Sequence, residues 1–419
     1  MEPNYKNNKR YNTAKKPIRQ PLFFTWLIKT LSDVVISFRK HKIEKINMEG
    51  LKPPYLMLSN HMAFCDFEFA AKVTWPHRVN NVINIDAYHR RPWLMELIGG
   101  IATRKFTNDL ALVRTISHVF KRGDVVGMYP EARYSPCGTI NYLPDALGKL
   151  IKLFKVPVVT VVQRGNHLYS PVWNWTKKRK VPFHTTATKL LTPEEIANLS
   201  AEEITEKVRN ALYYDEYEYQ KQNGILITEK NRAEGINKIL YQCPSCKKEH
   251  VMDSKGCEVF CTECGKRYRL NEDGTLSATS GETEFTHVPD WFNWQKENVR
   301  KEIESGNYKL CEEMDVYSFP RCWKFINLGK ATITHDLENG FTIKGFYRGK
   351  EYEINRRPLQ NNGLHVEYEF PRLRKEDCID ISTENDSFYC YPKRKDIVTK
   401  IGFATEIMYQ IHKERQAKN

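Results

Sequence analysis

The chain has 419 residues, more than one core ordinarily organises, so two or three domains are expected. Hydrophobic residues make up 41% of it, which excludes wholesale disorder. A net charge of +14 suits an anionic partner, a membrane surface or nucleic acid, although plain solubility accounts for it equally well. No run of about 20 uncharged apolar residues occurs, so no membrane-spanning helix is expected. The first twenty residues are polar and basic with no small-residue cleavage site after them, so no secretory signal is read there.

Residues 1–45 carry eleven Lys/Arg against three acids. Within them Phe24, Leu27, Ile28, Leu31, Val35 and Phe38 fall on one helical stripe, with Thr25, Lys29 and Ser32 elsewhere. A basic arm followed by an amphipathic helix reads as an anchor lying on anionic lipid, at the cytoplasmic face of the cell membrane. The alternative is a helix docked on the main domain behind a basic tail.

Residues 46–190 alternate short apolar runs with helical patterns. Tyr55–Leu58, Val82–Ile85, Val125–Met128 and Val156–Val162 read as buried strands. Trp93–Ile98, Ala111–Phe120 and Asp145–Phe154 read as helices. This is the grammar of an α/β layered domain, in which ligands gather beyond the carboxyl ends of strands. A helical extension follows at Pro193–Asn198 and Glu202–Tyr213.

Two blocks in this region carry chemistry. Asn60-His61-Met62-Ala63-Phe64-Cys65-Asp66 follows the first strand. On a regular helix His61 and Asp66 would lie about 140° apart. They meet only if the helix starts just after His61, capped by Ser59 or Asn60, with Asp66 turned back from the first turn. A carboxylate so placed fixes the imidazole tautomer and lets the histidine take a proton from an alcohol. The bland reading is that His61 caps a helix and Asp66 is solvated. Tyr129-Pro130-Glu131-Ala132-Arg133-Tyr134-Ser135 follows Val125–Met128 and places a carboxylate beside a guanidinium. Arg133 suits a phosphate grip, and Glu131 can hold an acceptor hydroxyl or orient a basic residue. A surface ion pair at a turn is the other possibility.

Cys243-Pro244-Ser245-Cys246 and Cys261-Thr262-Glu263-Cys264 are separated by fourteen residues. Two such turns supply four thiolates to one tetrahedral Zn²⁺, with no position left open, so the site is expected to be structural; dithiol redox chemistry is the alternative. Lys247, Lys248, Lys266, Arg267 and Arg269 with Tyr268 could serve nucleic acid, or the module could dock protein or only stabilise. The other seven cysteines, Cys257 among them, are scattered, as in a reducing compartment.

Residues 273–285 are a linker by composition. Residues 286–419 begin with an aromatic helical stretch around Trp291, Phe292 and Trp294. Alternating runs at Ala331–Ile333, Phe341–Phe346 and Val366–Phe370 follow, then a helix carrying Ile397, Ile401, Ala404, Met408 and Ile411. A small sandwich or barrel with a closing helix is expected, of the kind seen in lipid- or peptide-binding modules of pleckstrin type.

The chain resembles the glycerolipid acyltransferase family, typified by the 1-acyl-sn-glycerol-3-phosphate acyltransferases. Asn60, His61 and Asp66 match its Asn-His-x4-Asp block, Tyr129–Ser135 its Phe-Pro-Glu-Gly-Thr-Arg-Ser block, and Val156-Pro157-Val158-Val159 its Val-Pro-Val strand. Gly99-Gly100-Ile101-Ala102-Thr103-Arg104-Lys105 falls where Gly-x-Ile-x-x-x-Arg is expected. The four blocks keep the family order over roughly residues 45–190. The resemblance implies that His61 and Asp66 activate a hydroxyl for attack on an activated fatty acyl group carried by acyl-CoA, acyl carrier protein or acyl phosphate. Arg104, Lys105, Glu131, Arg133 and Ser135 would hold a lysophosphatidate-like acceptor. Three of the departures from the pattern bear on the chemistry. Ala132 replaces glycine, Tyr134 stands where the third-block arginine belongs, and Lys105 replaces the second-block arginine. The fold class implied is α/β, an acyltransferase domain (46–240, behind the 1–45 arm) with a zinc ribbon (241–272), a linker (273–285) and a β-rich domain (286–419). The competing class is a degenerate acyltransferase fold used as a zinc-ribbon module that binds nucleic acid or protein.

Overall fold

The computed structural model describes Pro3, residues 10–107 and residues 109–418. The first nine residues of the basic arm, Pro3 apart, therefore lie outside the described residues. The amino-terminal part comprises α1 (Leu22–Ser37), β1 (His41–Ile46), β2 (Leu56–Ser59), α2 (Asp66–Thr74), β3 (Val79–Asn84), α3 (Pro92–Leu97), β4 (Ile101–Thr103), α4 (Leu110–Lys121) and β5 (Val125–Met128). It continues through α5 (Ala146–Phe154), β6 (Val158–Arg164), α6 (Asn166–Tyr169), β7 (Phe183–Leu191), α7 (Pro193–Asn198), α8 (Ala201–Ala211) and α9 (Glu216–Gln222). Seven strands form one sheet in the order β1-β7-β6-β2-β5-β3-β4. All neighbours run parallel except β6 and β7.

The local causes are legible. The central strands β2, β5 and β6 are continuous apolar runs because helices cover both faces. Asp109 caps α4 by accepting from the Ala111 and Leu112 amides. Thr192 with Glu195, and Ser200 with Glu203, close capping boxes at α7 and α8. β1 was not expected: its alternation of charged and apolar residues belongs to an edge strand, and it ties residues 41–46 into this sheet across the expected boundary at 45/46.

The cysteine module is a four-stranded sheet of β8 (Met252–Lys255), β9 (Glu258–Cys261), β10 (Arg267–Leu270) and β11 (Leu276–Ala278). β11 corrects the linker at 273–285, since it pairs with β10 and buries Leu276. Its Gly, Ser and Thr composition hid one apolar anchor. α10 (Val288–Glu304) then crosses the module. Trp291 donates to the Gln242 carbonyl, and Gln295 bridges the Gln242 amide and the Ile239 carbonyl.

The last part contains β12 (Leu310–Ser318), β13 (Ile326–Asp336), β14 (Gly340–Tyr347), β15 (Lys350–Arg356), β16 (His365–Glu367), β17 (Cys378–Ser382), β18 (Ser387–Pro392) and α11 (Val398–Lys418). Its sheet is wholly antiparallel, ordered β15-β14-β13-β12-β18-β17-β16, so two meanders of four and three strands join through β12 and β18. α11 is packed against α10 and β16.

The parts share cores. Cys243, Cys261, Tyr268 and Trp291 pack in one apolar cluster with Ile333, Phe341 and Phe403. Ile85, Tyr88 and Ala102 of the first part pack with Phe319, Phe370, Cys378 and Tyr389 of the last. Joint burial of this kind makes the interface a core rather than a hinge.

α1 departs from the expected helix in its orientation. It lies on α2 through Thr25, Ser32 and Ile36, while Leu22, Phe23, Trp26, Leu31, Val34, Val35 and Phe38 face outward, Phe38 at 86% exposure. Phe24, Leu27 and Ile28 of the expected stripe are only half-buried. Among the described residues no helix is long and apolar enough to cross a membrane.

Candidate active site

His61 and Asp66 meet at the carboxyl end of β2. His61 Nδ1 lies 2.9 Å from Asp66 Oδ2. The expected cap by Ser59 or Asn60 is not what brings them together. α2 begins at Asp66 itself, and its buried carboxylate turns back to accept from the Met62 amide (2.7 Å), the Ala63 amide (3.1 Å) and Asn166 Nδ2 (2.8 Å). A carboxylate held by two amides and an amide side chain cannot rotate, so the imidazole bonded to it is oriented too. Among the described residues His61 Nε2 has no hydrogen-bond partner.

Asn60 has another task. Its side chain pairs with the backbone of Gln163 in both directions, each bond 2.9 Å, extending the β2/β6 pairing into the loop. Gln163 also bonds Ser59, the Asp66 carbonyl and Asn166. Sequence reasoning missed Gln163 and Asn166, although both stand at the carboxyl end of β6, where an α/β sheet collects functional groups.

The imidazole is sandwiched. The rings of Tyr129 and Tyr134 each lie 4.2 Å from it, Tyr129 nearly parallel at 24° and Tyr134 tilted at 42°. Burial pulls the His61 pKa below the ordinary imidazole value; the Asp66 contact opposes this and the Lys105 charge adds to it. His61 is therefore a neutral base at neutral pH.

The third block braces this loop. Glu131 is buried and accepts from the His61 amide (3.0 Å), the Asn141 amide and Asn141 Nδ2 (both 2.8 Å) and the Tyr214 hydroxyl (3.3 Å). Burial pushes its carboxyl up to about 7 against those donors. So engaged, Glu131 orients His61 through its backbone and has no lone pair spare for an acceptor hydroxyl. Ser135, expected to touch substrate, is fully buried. It donates through Oγ to the Thr139 carbonyl (2.6 Å) and through its amide to the His61 carbonyl (2.9 Å).

Ala132 sits between them at φ +56°. That left-handed conformation explains why the resembled block has glycine there. Ala132→Gly is expected to raise thermal stability by about 1 kcal/mol with the His61 contacts kept. A melting curve unchanged or lowered would show that the turn is not strained.

The three cations expected to grip phosphate are each bonded elsewhere, although the Lys105 charge reaches His61. Arg133 bonds Glu406 of α11 (2.5 Å) and the Leu364 carbonyl (3.2 Å). Lys105 donates to His365 Nε2 of β16 (2.6 Å). Arg104, also buried, bonds the Glu384 carbonyl (3.3 Å). Each is drawn onto the last part of the chain, 231 to 280 residues further on, where no local pattern could place it.

The four module cysteines come together as expected. Their sulfurs lie within 4.8 Å of one another, with Cys243–Cys264 at 3.7 Å and Cys246–Cys261 at 3.8 Å. A tetrahedron with metal–sulfur bonds of about 2.3 Å has edges of about 3.8 Å, so the cradle fits a tetrahedral ion. The separations are far too long for disulfides. Cys257 stands apart and contacts the Lys230 carbonyl. Four of the five basic side chains around the cluster are engaged within the module, Lys247 on the Pro244 carbonyl, while Arg269 is exposed. Lys248 pairs with Glu263, Arg267 with Glu258, Lys266 bonds the Ser280 and Glu282 carbonyls, and Tyr268 is buried against Trp291.

Fold and site together define a mixed α/β protein with a buried His–Asp pair at strand ends and a four-cysteine cluster. No protein-family model matches the chain, and no curated protein matches it. Among solved structures, the 1-acyl-sn-glycerophosphate (LPA) acyltransferase PlsC from Thermotoga maritima is similar at a TM-score of 0.39 and 15% identity, over 45% of this chain and 77% of that one. A likeness that slight carries no weight by itself.

Proposed function

We propose that the chain is an O-acyltransferase that moves a fatty acyl group from an activated donor to the free hydroxyl of a single-chain glycerolipid, lysophosphatidate being the acceptor of the family it resembles. The observation that carries this reading is the His61–Asp66 contact with Nε2 left open. His61 Nε2 takes the hydroxyl proton as the oxygen attacks the acyl carbon. The tetrahedral intermediate collapses, and the imidazolium returns the proton to the leaving thiolate. Asp66 holds Nδ1–H and offsets the transient positive charge. The four blocks in family order support the same reading.

The test is to incubate the protein with acyl-CoA or acyl carrier protein donors and a panel of lysolipids, and to identify products by mass spectrometry. Absence of any acylated product would reject the enzyme in favour of the binding-module alternative.

The proposal includes attachment to an anionic membrane surface, on the cytoplasmic side, through α1. An outward face of Leu22, Phe23, Trp26, Leu31 and Phe38 is an apolar patch that water does not favour. The protein is expected to float with vesicles containing anionic lipid. A Phe23→Glu/Trp26→Glu/Phe38→Glu variant is expected to lose at least tenfold in binding. Equal flotation of that variant would remove α1 from the membrane contact. For the cysteine cluster the proposed ion is a structural Zn²⁺, held by Cys243, Cys246, Cys261 and Cys264.

A further inference from the structure

We infer that the cavity between the third block, α10, α11 and β16 is an anion-binding site separate from the His61–Asp66 pair, and that its ligand is a carboxylate or phosphate head carried on a hydrocarbon chain. The site stands whether or not the chain transfers acyl groups.

The cavity holds about 670 Å³ of atom-free space, part of it open to solvent. Its charged lining comes from three elements: Arg133 from the third block, Lys296 from α10 and Glu406 from α11. Glu406 is buried and bonds both cations. Burial works against its ionisation, but Lys296 and Arg133 outweigh that and hold the carboxyl below the usual carboxylate range. One carboxylate thus faces two cations, and the lining keeps a positive charge. Arg133 is largely withdrawn from water, where an unmatched charge is costly.

Donors are in surplus as well. A guanidinium carries five N–H groups, and Arg133 uses three, on Asn141 Oδ1, the Leu364 carbonyl and Glu406. An ammonium carries three, and among the described residues Lys296 uses one, on Glu406. Two charged donors remain on each side chain, and carboxylate or phosphate oxygens accept bonds of this kind. Ile140, Val172, Phe292, Leu364, Val366 and Phe403 make much of the remaining lining apolar, which suits a hydrocarbon chain.

Neither His61 nor Asp66 lines the cavity. Tyr134 does, and its ring lies 4.2 Å from the imidazole, so a ligand there sits behind Tyr134, beside the base rather than against it. Of the three cations expected to hold the acceptor, Arg133 alone lines this cavity. Lys296, its partner here, stands on α10, outside the four blocks.

The test titrates full-length protein with octyl phosphate, octanoate and octanol by calorimetry. At least one of the two anions is expected to bind at one per chain and about tenfold or more tighter than octanol, and the tighter anion names the head. Lys296→Met leaves Arg133 matched by Glu406 and is expected to weaken that anion about tenfold with octanol unchanged. Glu406→Gln leaves both cations unmatched and is expected to tighten it. His61→Ala is expected to bind the anion as the wild type does. α1 offers apolar surface to any octyl chain, so the change on Lys296→Met locates the binding. A Glu406→Gln protein that does not melt cooperatively is set aside, and the wild type and Lys296→Met decide. The inference is overturned by octanol bound as tightly as the anions, by no saturable anion binding, by an affinity untouched in Lys296→Met or weakened in a folded Glu406→Gln, or by loss of binding in His61→Ala, which would put the anion at the dyad.

Discussion

Replacing His61 by alanine is expected to lower acyl transfer by about 10²- to 10⁴-fold with the fold retained, because the imidazole is the open base at the strand ends. Its removal leaves Asp66 with the Met62, Ala63 and Asn166 donors, so the carboxylate stays satisfied and the loop keeps its shape. Asp66→Asn is expected to cost about 10³- to 10⁴-fold. An amide offers one acceptor where four donors converge, so the imidazole loses its tautomer and the loop loses stability as well. The two losses separate by pairing rate measurements with thermal melts: His61→Ala near the wild-type midpoint, Asp66→Asn below it. The pH profile adds a further constraint. On the proposed mechanism His61 would work deprotonated, and its pKa lies below 6.5, depressed by burial and by Lys105 against the pull of Asp66. Activity should therefore rise with pH to a plateau already reached at neutrality, with its acid-limb midpoint below 6.5. Lys105→Met removes a positive neighbour and should move that midpoint upward. Full activity in His61→Ala, or an acid limb centred above 7, would be incompatible with His61 as the base.

Removing the metal is expected to unfold more than the ribbon. Cys243 and Cys261 are buried in the same cluster as Tyr268, Trp291 and Phe403, so the cysteine cradle is part of the core that carries α10 and α11. Structural zinc in small modules contributes an apparent free energy on the order of 10 kcal/mol, and at the proposed site part of that would be folding free energy. A strong chelator, or Cys261→Ser, should lower the melting temperature by about 10 °C or more. Elemental analysis should give one zinc per chain, and would recognise iron, which a tetrahedral set of four sulfurs also accepts. Glu406 sits on α11 and bonds Arg133, so acyl transfer should fall together with the metal content. Metal-free protein that melts and turns over like the untreated sample would make the cluster dispensable.

How much of this was legible beforehand differs by element. Buried strands and capped helices read well because their signals lie within a few residues: apolar runs at β2, β5 and β6, Asp109 before α4, Thr192 and Ser200 with their partner glutamates. β1 and β11 were missed because an edge strand and a short strand with one buried anchor carry little apolar pattern.

The amino-acid sequence by itself determined the His61–Asp66 contact and the four-sulfur cradle. Each depends on turn geometry over a handful of residues, or on two such turns brought together by a short sheet. Only the tertiary structure decided which face of α1 looks outward, that Glu131 braces rather than binds, and that Arg104, Lys105 and Arg133 are drawn onto the last domain. A residue type states which bonds a side chain can make. The partner it takes is set by packing between segments more than two hundred residues apart, where burial penalises a cation left unpaired and a nearby carboxylate, imidazole or carbonyl captures it.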